Sequence, residues 1–99
     1  MLAHATISTE KSSRHLQALC GHFSRKVQAD HSSDQGHIDF GFGFCNLRAD
    51  PQALVLHVEG PDMESVTRLK NVVGSHLERF AVKDSLHVEW ADKALPSQA

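Results

Sequence analysis

Gly36-His37-Ile38-Asp39-Phe40-Gly41-Phe42-Gly43-Phe44-Cys45-Asn46-Leu47-Arg48-Ala49 is a strand-like run that changes phase in its middle. Successive side chains of a strand point to opposite faces, so Ile38, Phe40, Phe42 and Phe44 share one side, opposite His37, Asp39, Gly41 and Gly43. Past Phe44 the apolar set becomes Cys45, Leu47 and Ala49, with Asn46 and Arg48 polar between them. A regular strand cannot bury both halves on one side. The run therefore predicts a bulge at Gly41 or Gly43, or else exposure of Phe42 and Phe44.

Working outward, Val27 to His31 is followed by Ser32-Ser33-Asp34-Gln35-Gly36, which is turn chemistry and makes the entry to the run a hairpin. Asp50-Pro51-Gln52 turns the chain again into Ala53 to Glu59, where Leu54, Leu56 and Val58 point one way and Val55, His57 and Glu59 the other. At the N-terminus Ala3, Ala5 and Ile7 alternate with His4, Thr6 and Ser8 as a first strand. Ser8 or Thr9 then caps a helix whose Leu16, Leu19, Cys20 and Phe23 form one buried stripe, leaving His15 and His22 on a solvated face. Gly60-Pro61-Asp62 ends the strand at Glu59, and Asp62 caps a second helix carrying Val66, Leu69, Val73, Leu77 and Phe80; Gly74 within it implies close packing against the sheet. Leu86, Val88 and Trp90 alternate with Ser85, His87 and Glu89 in a last strand, and residues 92–99 read as a flexible tail.

The order strand, helix, three strands, helix, strand predicts an α+β two-layer sandwich. A mainly antiparallel sheet of about five strands has two helices on one face, related to ferredoxin-like sandwiches. Residues 2–91 form a single domain on this reading, as the length of 99 residues suggests. The formal charge of -2 speaks against a protein that wraps nucleic acid or anionic lipid, which needs an excess of Lys and Arg. No apolar run approaches the roughly 20 residues of a membrane span, and Leu2 to Thr9 lacks the features of a secretion signal, so a cytoplasmic location without membrane contact is expected. Two cysteines, Cys20 and Cys45, are too few for a disulfide framework and are expected as free thiols.

Three strand-like runs place a histidine two residues before an acid: His37 and Asp39, His57 and Glu59, His87 and Glu89. Each pair falls on one face of its strand, so the sheet side away from the helices should carry imidazoles and carboxylates. If the three strands are adjacent and in register, these six residues are a candidate metal or ligand site, suited to zinc, iron or haem, with Cys45 and His76 as further candidates. The bland alternative is a solvated face with each histidine partnered to an acid across strands. Phosphate loops, dinucleotide fingerprints and Ser-His-Asp motifs are absent from the sequence, and Cys45 is flanked by Phe44 and Leu47, so a binding module is favoured over an enzyme. The uncovered face also suits a homodimer. Gly41-Phe42-Gly43-Phe44-Cys45-Asn46-Leu47 resembles the aromatic strand of RNA-recognition domains, which opens a further reading in which Phe42 and Phe44 stack on bases.

Three stretches, Ser13 to Phe23, Gly36 to Cys45 and Val72 to Phe80, together resemble a bacterial family catalogued as domain of unknown function number 2218, over residues 3–91. The resemblance implies no reaction. It implies an accessory role in iron or tetrapyrrole handling beside an iron-uptake partner protein. Asp39, Cys45, His76 and Glu78 fall within the family pattern, while His57 and His87 are not clearly part of it.

Overall fold

A computed structural model describes residues 1–80, 86 and 88–92. Its elements are β1 (Leu2–Ser8), α1 (Ser12–Phe23), β2 (Gln28–His31), β3 (Gln35–Asp39), β4 (Phe44–Asp50), β5 (Ala53–Glu59) and α2 (Met63–Phe80). The strands form one sheet in the order β1-β5-β4-β3-β2, antiparallel throughout. Both helices lie on the same side of it. The α+β class and the two-layer arrangement are as the sequence predicts.

Burial follows the alternation except at His4 and Val55, which are buried although they belong to the opposite face. Ala3, Ala5, Ile38, Cys45, Leu54, Leu56 and Val58 face Leu16, Leu19, Cys20, Val66, Leu69, Val73 and Leu77 of the two helices, each 0–1 % exposed. The helices are held differently at their starts. Asp62 Oδ1 accepts the Ser65 N–H at 2.8 Å, capping α2 as expected and holding the Asp62 carboxyl below its usual range. Neither Ser8 nor Thr9 caps α1: Lys11 occupies the N-cap position without a side-chain cap bond, and Thr9 Oγ1 only accepts the Lys11 N–H at 3.0 Å. Ser12 Oγ donates instead to the Asp50 carbonyl and ties the helix start to the end of β4. His15, expected on a solvated face, is 5 % exposed because that turn of α1 is covered.

The central run departs from the expected single strand. It is two strands, β3 and β4, joined by a turn at residues 40–43. Phe40 N–H donates to the Gly43 carbonyl at 2.8 Å, Gly41 N–H donates to Asp39 Oδ1 at 2.8 Å, and Gly41 adopts a positive φ of 89°. A chain reversal, not a bulge, absorbs the change of phase. Ile38 and Cys45 therefore sit opposite one another on the core side. Phe40 and Phe42 pack against the core from the turn, while Phe44 lies on the uncovered side.

Of the last predicted strand, the described residues 86 and 88–90 are not in a strand. Ala91 makes an isolated antiparallel bridge to His4, with bonds of 2.9 and 2.8 Å. Ser85, His87 and residues 93–99 lie outside the described residues. Trp90 packs on α2 at Gly74, where a Cβ would stand 3.2 Å from Trp90 Nε1, so the close approach predicted at Gly74 is to Trp90 and not to the sheet. Lys70 and Asp92 form an ion pair at 2.8 Å beside it. No helix of the described residues is long and apolar enough to cross a membrane.

Two glycine substitutions probe this packing in opposite directions. A Cβ at Gly43 would meet the Glu59 carbonyl oxygen and Leu69 Cδ1 at 2.7 Å each, and backbone cannot yield as a side-chain tip can. Gly43→Ala is expected to destabilise the protein by about 2 kcal/mol in urea unfolding, the range of overpacked sites. A Cβ at Gly21 in α1 meets nothing within 4 Å. Gly21→Ala is expected to stabilise by up to about 1 kcal/mol through helix propensity.

Candidate functional site

The register of β5, β4 and β3 sets out the uncovered face as three rows. Glu59, Phe44 and Asp39 stand side by side, then His57, Asn46 and His37, then Val55, Arg48 and Gln35. The second row extends to His4 on β1 and Asp30 on β2, so it crosses every strand of the sheet. It arises because each strand contributes a polar residue at the same height; on β1, β4 and β5 the residues on either side are apolar and buried beneath the helices.

Within this array His37 Nδ1 lies 2.6 Å from Asn46 Oδ1. An amide oxygen only accepts, so Nδ1 carries the proton and Nε2 is the nitrogen with a free lone pair when the ring is neutral. The Phe44 ring lies between the two imidazoles, 5.4 Å from His37 at an interplanar angle of 31° and 6.3 Å from His57 at 36°. His57 Nε2 is 3.2 Å from Glu59 Oε1, one of the predicted histidine–acid pairs realised as a contact. His37 and Asp39 are not such a pair, since Asp39 is used by the turn and His37 by Asn46. Arg48 forks onto Asp50 at 3.1 and 3.3 Å.

The six predicted ligands are thus partly gathered. His37, Asp39, His57 and Glu59 share the uncovered face, but Asn46 and Phe44 of β4 stand between the β3 and β5 members, which puts their backbones about 10 Å apart. Glu89 is exposed and outside the sheet, and His87 lies outside the described residues. Among the described residues, no three His, Cys, Asp or Glu side chains are grouped as a metal site. Asn46, read from the sequence only as a polar position, orients His37, and only the strand register reveals this.

Cys45 belongs to the other side. It is fully buried under the helices, and burial, followed by the charge of Cys20, pushes its thiol far above the ordinary range. Cys20 is pushed up to about 11, by burial first and then by Asp30. Both are protonated at neutral pH, as buried structural thiols are. Phe42 and Phe44 do not form a common stacking platform: Phe42 lies in the turn, with the Arg68 guanidinium 4.1 Å from its ring centroid, and Phe44 lies on the sheet face. The turn between β3 and β4 separates what the RNA-type motif would need together.

His76 is also on the helical side. Its Nδ1–H donates to the Val72 carbonyl at 2.6 Å, and its ring is 4.9 Å from both His22 and Phe23. His22, predicted to be solvated, touches Phe80 at 5.3 Å. Its pKa is lowered below 6.5 by desolvation first and then by His76, Lys26, Arg25 and Arg79. With a folded value below the unfolded one, the unfolded chain binds more protons in the interval between them, so stability declines as pH falls through 6.5 and the loss is complete below the folded value. Urea midpoints measured at pH 8 and pH 5 should therefore drop less in His22→Phe than in the parent chain. An equal drop would remove His22 as a source of acid sensitivity.

No curated protein matches the chain. Among solved structures, the NMR structure of PA4090 from Pseudomonas aeruginosa is similar, with a TM-score of 0.78 and 31 % identity over 94 % of this chain and 98 % of that one. Residues 4–91 match the family described as "Uncharacterized protein conserved in bacteria (DUF2218)". The chain belongs to that bacterial family of uncharacterised proteins.

Proposed function

We propose that the protein is a binding module whose uncovered sheet face receives a flat, metal-centred ligand of the metalloporphyrin class, with His37 Nε2 as the axial donor. The observation that carries this reading is the His37–Asn46 contact of 2.6 Å beside the Phe44 ring. A histidine whose second nitrogen is held by an oxygen acceptor has the orientation typical of metal-ligating imidazoles. A bare ion would need three or four ligands from the protein, and the described residues do not group them. A macrocycle brings four nitrogens of its own, so a single oriented imidazole is enough. A macrocycle held through His37 Nε2 would stand roughly perpendicular to the imidazole plane, so the Phe44 ring, tilted by 31° from that imidazole, would meet it edge to face.

Haemin added to the purified full chain near pH 8 is expected to give a saturable shift of its Soret band. His37→Ala should abolish the shift, Phe44→Ala should weaken it, and His76→Ala on the far side should leave it intact, with circular dichroism checking that each variant is folded. Absence of a saturable shift, or its survival in folded His37→Ala, would overturn the reading. So would a dimer in light scattering that takes up no haemin and dissociates on Phe44→Asp, since the face would then serve to pair two copies of the chain.

A further inference from the structure

On the side of the molecule away from the histidine array, the 40–43 turn and α2 border an open groove of about 440 Å³ lined by Phe40, Phe42, Arg68, Asn71, Val72 and Ser75. We propose that this groove is a second binding site, specific for a small carboxylate carried on an apolar, planar body. Its volume lies within the roughly 300 to 1,000 Å³ of small-molecule sites. The four helical members are spaced i, i+3, i+4 and i+7, so they form one continuous face of α2. The opposite wall is aromatic: Phe40 lies 6.1 Å from Phe42 and is backed by Phe23 at 5.1 Å.

Arg68 decides the class of ligand. Its guanidinium lies 4.1 Å from the centre of the Phe42 ring, and it forms no ion pair among the described residues, although Glu64 stands one turn earlier on the same helix. The contact with Phe42 constrains the guanidinium while its N–H groups remain available to fork a carboxylate. Asn71 and Ser75 add polar groups along the same wall. A bare inorganic anion would satisfy the cation and waste the phenyl surfaces, whereas a neutral aromatic would do the reverse. An aromatic or similarly flat carboxylate meets both. The groove shares no lining residue with the histidine array, although Phe42 also borders a depression around the turn that reaches Phe44.

Benzoate is the probe, with inorganic phosphate and benzyl alcohol as charge-only and ring-only controls, titrated at constant ionic strength into the isotope-labelled full chain. Saturating amide shifts at residues 40–43 and 68–75 are expected with benzoate, with both controls binding roughly tenfold more weakly or worse. Arg68→Met keeps the alkyl stem over Phe42 and should raise the benzoate midpoint by at least a similar factor, while Arg68→Lys, which retains charge without the fork, should fall between the two. Shifts that fail to saturate, that persist with the same midpoint in Arg68→Met or Arg68→Lys, or that centre on His37, Phe44 and His57 would overturn the proposal.

Discussion

The architecture turns on four residues between β3 and β4. At Gly41 the backbone takes a positive φ that side chains disfavour, and at Gly43 it presses against the Glu59 carbonyl and Leu69 where no Cβ would fit. Those two requirements convert an apolar run into a hairpin. Reversing direction there lets Ile38 and Cys45 meet on the core side although their intervals from the phenylalanines are out of phase. It also divides the aromatics: Phe40 and Phe42 go to the helical layer, Phe44 to the open face.

That division creates two surfaces of different chemistry. Beneath the helices the sheet is sealed by aliphatic side chains, and the thiols of Cys20 on α1 and Cys45 on β4 are raised out of reactivity by burial. On the opposite side, cross-strand pairs of the kind made by His37, Asn46 and His57 contribute only about 0.2 to 1 kcal/mol each. Folding therefore does not demand these particular residues. A surface on which stability is nearly indifferent to composition is one where an oriented imidazole beside a ring can serve recognition.

The helical side is less uniform than an amphipathic pattern implies. Where the C-terminal part of α2 meets α1, His76, His22 and Phe80 come together, and basic Arg25, Lys26 and Arg79 act on His22. Helix C-termini favour cationic groups through the macrodipole, yet desolvation and mutual repulsion hold His22 toward its neutral form. The second effect wins because the imidazole contacts other rings.

The sequence alone determined the apolar sets that line the core. Alternation in the runs at Ala3, Leu54 and the hairpin strands, the stripes from Leu16 and Val66, and the cap at Asp62 fixed the α+β class, the two-layer packing and the polarity of the open face, because these depend on periods of 2.0 and 3.6 residues that are local. It also carried the family pattern. What only the tertiary structure decided was which strands are neighbours and at what height. Sequence spacing placed His37 with Asp39, but the register placed His37 with Asn46 and set β4 between His37 and His57. The same holds for the ring of Phe42 beneath Arg68, for Gly74 against Trp90 and for His15 under cover. Such contacts join residues far apart in the chain, and periodicity within one element contains no information about the offset of another.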